Sequence, residues 1–74
     1  METLRKYLNS LPLNEQRAFA LRCGTSIGYL RKALSTKPLL DGALCRLLDE
    51  NSGGMISRAD LRPDIWPELT DKAA

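Results

Sequence analysis

With 74 residues, 43% of them hydrophobic, aromatics at only 5% and a net charge of +2, the chain has room for one domain with one modest core. No apolar run approaches the roughly 18 residues of a membrane span, and Met1-Glu2-Thr3-Leu4 lacks the basic-then-apolar layout of a secretion signal. Two cysteines, Cys23 and Cys45, sit in apolar helical patterns where a small reduced thiol fits, as expected of a cytoplasmic protein.

Pro12, Gly24, Pro38, Gly53-Gly54 and Pro63 cut the chain into short pieces. Good helix formers on a 3.6-residue period predict an all-α, five-helix domain, since no piece alternates like a strand. The first helix, about Glu2–Asn9, aligns Leu4, Tyr7, Leu8 and Leu11, and Pro12 prevents its continuation. Asn14 is the expected N-cap of a second helix that runs to Cys23, where Gly24 supplies a left-handed stop. Thr25 or Ser26 caps a third helix to about Ser35. A fourth follows Pro38, with Leu40, Ala43, Leu44, Leu47 and Leu48 as its apolar stripe, and ends at Asn51-Ser52-Gly53-Gly54. Ser57-Arg58-Ala59-Asp60 reads as a capping box with Asp in place of Glu, opening a short fifth helix. Residues 1–69 form the expected domain, and 70–74 are expected to be disordered.

Charge is unevenly spread. Residues 10–38 hold Arg17, Arg22, Arg31, Lys32 and Lys37 against Glu15 alone, whereas residues 39–74 hold seven acids against four bases. A basic patch on a nearly neutral domain suits a polyanionic partner approached from one side; a solvated helix face is the alternative.

The window 16–35 meets the requirements of a helix-turn-helix. Two short helices crossing steeply need a small residue at their contact, which Ala20 supplies, and a turn residue tolerant of positive φ, which Gly24 supplies. Phe19, Cys23, Leu30 and Ala33 would pin both helices to the domain. Two bundle helices joined by a glycine turn are the plainer possibility. With Leu30 and Ala33 inward, 100° per residue turns Gly28, Arg31, Lys32 and Ser35 outward, with Ile27 and Tyr29 at the edges. Such a face fits the major groove. Arg31 and Lys32 are candidates for guanine or phosphate contacts, Gly28 for close backbone approach and Ser26 for base edges at the helix start. Ile27 fits either the core or a thymine methyl, with the helix-turn-helix template favouring the DNA side. Gln16, Thr25 and Lys37 are candidate phosphate contacts.

Gly24-Thr25-Ser26-Ile27-Gly28-Tyr29-Leu30, followed after the fourth helix by Gly53-Gly54-Met55-Ile56-Ser57-Arg58-Ala59-Asp60-Leu61-Arg62-Pro63-Asp64-Ile65-Trp66, resembles the YdaS-like branch of the Cro/repressor superfamily. These are small prophage-type regulators, some described as antitoxins. The resemblance covers about residues 3–67 and is most specific at Leu61–Trp66. It implies a five-helix domain whose second and third helices read double-stranded DNA, acting on an operator as a dimer. The family often has proline where this chain has Ile27, and longer polar side chains near Gly28.

In the tail, Met55, Ile56, Leu61, Ile65, Trp66 and Leu69 are expected to fold back over the first and fourth helices. A dimer contact through Ile65 and Trp66 is the other option. Arg62 and Asp64 flank Pro63 as a possible brace.

No histidine, phosphate loop or metal-ligand cluster is present to support catalysis, and the carboxylates are scattered, so neither an enzyme nor a cofactor is expected. The reading that follows is a sequence-specific transcriptional regulator, a Cro-like repressor pairing on an inverted-repeat operator. An antitoxin with a toxin partner is the alternative, against which stands the shortness of any partner-wrapping tail.

Overall fold

The computed structural model describes residues 1–67, and its regular elements there are helices: α1 (Glu2–Asn9), α2 (Leu13–Arg22), α3 (Ile27–Thr36), α4 (Gly42–Asn51) and α5 (Arg58–Leu61), with no strand among the described residues. None of these helices is long and apolar enough to cross a membrane. The expectation for Leu69 and the expected disorder of 70–74 fall outside the described residues.

α1 buries Leu4 and Leu8 completely, with Tyr7 and Leu11 packed at the margin. It ends at Asn9, two residues before the position that Pro12 restricts, because Ser10 already closes the last turn with its N–H on the Lys6 and Tyr7 carbonyls. Pro12 has a different role, as the N-cap of α2 at φ −66° and ψ 159°. The expected cap, Asn14, therefore lies inside the first turn. Proline has no N–H to leave unpaired and its φ is already set, so it takes the boundary position ahead of a side-chain cap.

α2 ends as Gly24 predicts. Gly24 adopts φ +76°, its N–H bonds the Leu21 carbonyl at 3.0 Å, and the Thr25 N–H reaches back to the Ala20 carbonyl at 3.0 Å. This paired closure leaves the otherwise orphaned carbonyls satisfied. The same pattern ends α4, where Gly53 and Gly54 bond Glu50 and Asp49.

The fourth helix departs from expectation. It begins at Gly42, so Leu40 lies in the preceding extended segment, although it is fully buried. Its carbonyl accepts a 2.6 Å hydrogen bond from Arg62 Nη1, which ties the α3–α4 connection to the tail. Cys45 and Leu48 carry the buried face, whereas Ala43 and Leu47 are exposed. The 40–44–47 spacing thus belongs only in part to the core.

The core joins all five helices: Leu4 and Leu8, Phe19 and Ala20, Leu30 and Ala33, Cys45 and Leu48, then Ile56 and Leu61. Each fully buried Leu, Ile or Phe contributes roughly 1.5–3 kcal/mol. Tyr7 and Phe19 pack with ring centroids 4.9 Å apart, joining α1 to α2. In the tail, Ile56, Leu61 and Trp66 fold onto the core as expected. Met55 does not; it is exposed, because it follows directly on the two-glycine turn, and Ile65 reaches the fourth helix while staying partly exposed. Ile65 rests on the start of α4, where a Cβ on Gly42 would stand 3.2 Å from its Cδ1. Both thiols are free and buried, and burial pushes each above its ordinary pKa, which disfavours the reactive thiolate.

Candidate nucleic-acid interface

Ala20, the small residue expected at the contact of the second and third helices, is buried in the core, and the glycine turn delivers the chain to Ser26. The Ser26 hydroxyl accepts from the Tyr29 N–H at 3.1 Å, so of the two candidate caps it is Ser26 that starts α3, satisfying one of the free donors of the first turn. Leu30 and Ala33 are buried, and Gly28, Arg31, Lys32 and Ser35 are all exposed. The 100° spacing holds along the whole helix.

That outer face carries no acid: α3 reads Ile-Gly-Tyr-Leu-Arg-Lys-Ala-Leu-Ser-Thr. Gly28 has nothing within 4 Å of where a Cβ would stand, so its backbone is open to an approaching surface. Lys37 closes α3 in the left-handed conformation at φ 52° and ψ 52°, with its N–H on the Ala33 carbonyl at 2.8 Å. Its side chain is exposed at the end of the helix. Ile27 is partly buried and packs against the core cluster, so the core side of the two roles considered for it is met in part. Tyr29, 43% exposed, lines an open groove with Thr25, Leu44 and Leu47 rather than the Arg31–Lys32 face.

Gln16 is placed differently from the exposed phosphate contact expected of it. It is only 6% exposed, and its side chain is committed at both ends. Nε2 donates to the Leu11 carbonyl at 2.8 Å, and Oε1 accepts from Arg31 Nη2 at 2.7 Å. The signal was in the sequence: Gln16, Phe19, Ala20 and Cys23 share one helical stripe, and the other three are apolar. Arg31 Nη1 also donates to Asn9 Oδ1 at 3.3 Å. Asn9 has no local pattern marking it, since it lies 22 residues away in α1. Trp66 packs within its own chain, on the core and 5.7 Å from the Arg58 guanidinium, leaving Ile65 as the more accessible of the two tail residues.

The chain is 32% identical over 65 residues to a prophage transcriptional regulatory protein of Escherichia coli (strain K12), a match that covers 88% of this chain and 98% of the relative. No family model matches the chain, and no solved structure matches it. Identity at that level across nearly the whole of both chains settles the kinship: this chain belongs to the family of that prophage transcriptional regulatory protein.

Proposed function

We propose that the chain is a sequence-specific DNA-binding transcriptional regulator, a Cro-like prophage repressor that places α3 in the major groove of operator DNA. The observation that carries this reading is the exposed, acid-free face of α3, set on a short helix pair closed by Gly24. The relative's description as a transcriptional regulator supports it independently. The groove admits a helix, and residues near the helix start reach base edges. In this arrangement Ser26, Gly28, Lys32 and Ser35 meet the bases, Ile27 and Tyr29 touch from the edges, and Thr25 and Lys37 hold phosphates. Gln16 acts from beneath the surface through Arg31. One α3 covers one half-site, so two copies occupy an inverted repeat with centres about 34 Å apart. The exposed Ile65 beside Trp66 is the proposed contact between them.

Selection of bound duplexes from a random pool tests this. Enrichment of an inverted repeat, bound as a 2:1 complex in sedimentation, is the expected result. Failure to enrich any sequence, or a stable 1:1 complex on the enriched one, contradicts it.

A further inference from the structure

We infer that Arg31 is a pre-positioned phosphate clamp rather than a base reader, held in place by Gln16 and Asn9 so that its position is fixed while its charge stays available. This rests on the DNA-binding reading proposed above. Among the described residues, Arg5, Arg58 and Arg62 each pair with a carboxylate, at 3.0 Å from Glu2, 3.1 Å from Asp49 and 2.7 Å from Asp64. Arg31 is held instead by two amide oxygens, those of Gln16 and Asn9. Neutral acceptors orient a guanidinium without cancelling its charge.

The anchor is firm where it matters. Gln16 is buried, and its amide can point only one way, because Nε2 must donate to the Leu11 carbonyl while Oε1 faces the arginine. Leu11 lies between α1 and α2, so the Arg31 side chain is drawn off the centre of α3 toward the end of α1, where Asn9 sits, and the first turns of α2. A guanidinium has five N–H donors in a rigid fork. Two of them are engaged here, and those that remain suit the oxygens of a phosphate. Lys32, by contrast, has no side-chain partner among the described residues and stays on the open face. The two adjacent cations thereby divide their roles, Arg31 toward the backbone of the duplex and Lys32 toward its bases.

The test uses the full chain with the duplex enriched from the random pool and an unrelated duplex of equal length, each across a salt series. Proteins compared are wild type, Arg31→Ala, Asn9→Ala and Gln16→Met, and the last two combined with Arg31→Ala. Thermal melts identify the folded variants, and Asn9→Ala, an exposed change, keeps the comparison open if Gln16→Met does not fold. Arg31→Ala should weaken both duplexes by the same factor, about tenfold, and lower the salt slope on the enriched duplex by about 1.8, which is about 0.9 for each of the two copies bound. Asn9→Ala and Gln16→Met should each weaken binding when Arg31 is present and change nothing when it is absent, which a merely structural role would not produce. Loss confined to the enriched duplex with an unchanged slope, or additive losses in the double variants, overturns the inference and leaves the DNA-binding reading intact. A wild type that binds neither duplex at low salt overturns both.

Discussion

The Asp60 carboxylate caps a helix 57 residues away: its Oδ2 accepts from the Thr3 N–H at 3.1 Å and from the Thr3 hydroxyl at 3.0 Å. Thr3 Oγ1 in turn accepts from the Ser57 N–H at 3.0 Å. The start of α1 and the start of α5 therefore satisfy each other's free donors. Asp60→Ala should lower stability by about 1–2 kcal/mol, the size of a lost cap, and Asp60→Asn by less, because one oxygen acceptor remains. Thermal unfolding checks this, and a wild-type melting temperature for Asp60→Ala would show the contact to be idle.

Gly24→Val should destabilise the fold itself. No atom lies within 4 Å of a Cβ built there, so crowding is not the cause. The cost comes from forcing a β-branched residue to φ +76°, on the order of 1–3 kcal/mol, a large share of a small domain's stability. Gly24→Asn should be milder, because asparagine visits that conformation. Equal melting temperatures for wild type and Gly24→Val would remove Gly24 from the turn.

The tail brace should respond to acid. Arg62 donates to both oxygens of Asp64 and to the Leu40 carbonyl, and the guanidinium holds the Asp64 carboxyl below the usual carboxylate range. A depressed carboxyl stabilises the fold above the ordinary aspartate pKa of about 3.9, and that support fades as pH falls through the lower folded value. Asp64→Asn should therefore melt below wild type at neutral pH and converge with it in strong acid. Arg62→Ala should be the more damaging change at every pH, since it also frees the buried Leu40 carbonyl. Melts of the three proteins across pH decide the order, and a constant gap between wild type and Asp64→Asn would contradict the linkage.

Where local chemistry decides the structure, the sequence was readable. Gly24 and Gly53 stop helices because glycine adopts their positive φ without strain, Ser26 and Ser57 cap because their hydroxyls reach the next turn, and the α3 face follows from a spacing of 100°. Misreadings arose where distant parts meet. Leu40 continues a helical period, yet it is the Arg62 bond from 22 residues away that accompanies its place outside α4. The Ser57 half of the capping box forms, but Asp60 turns to Thr3 rather than back to Ser57. Gln16 was readable as a buried polar residue from its apolar stripe, although its partnership with Arg31 and Asn9 was not, since nothing local brings three helices to one point.

Lys32 and Lys37 should fail differently. Lys32→Ala should cost about 1–3 kcal/mol on the enriched duplex and much less on an unrelated one, as for a base contact. Lys37→Gly should weaken both alike and lower the salt slope on the enriched duplex by about 1.8, as for one phosphate contact on each half-site. It should also raise stability by roughly 0.5–1 kcal/mol, because glycine relieves the left-handed end of α3. If Lys32→Ala weakens both duplexes equally, α3 does not read sequence through Lys32.

The salt dependence of wild-type binding to duplex DNA tests the central claim most directly. Neutralising a phosphate releases counterions, steepening the slope of log affinity against log salt by about 0.9 for each contact. With Arg31 and Lys37 each holding a phosphate on two half-sites, the enriched duplex should give a linear plot with a slope of about −3.6 or steeper. No detectable binding at low salt, or an affinity that does not change with salt, would contradict a DNA-reading role for α3.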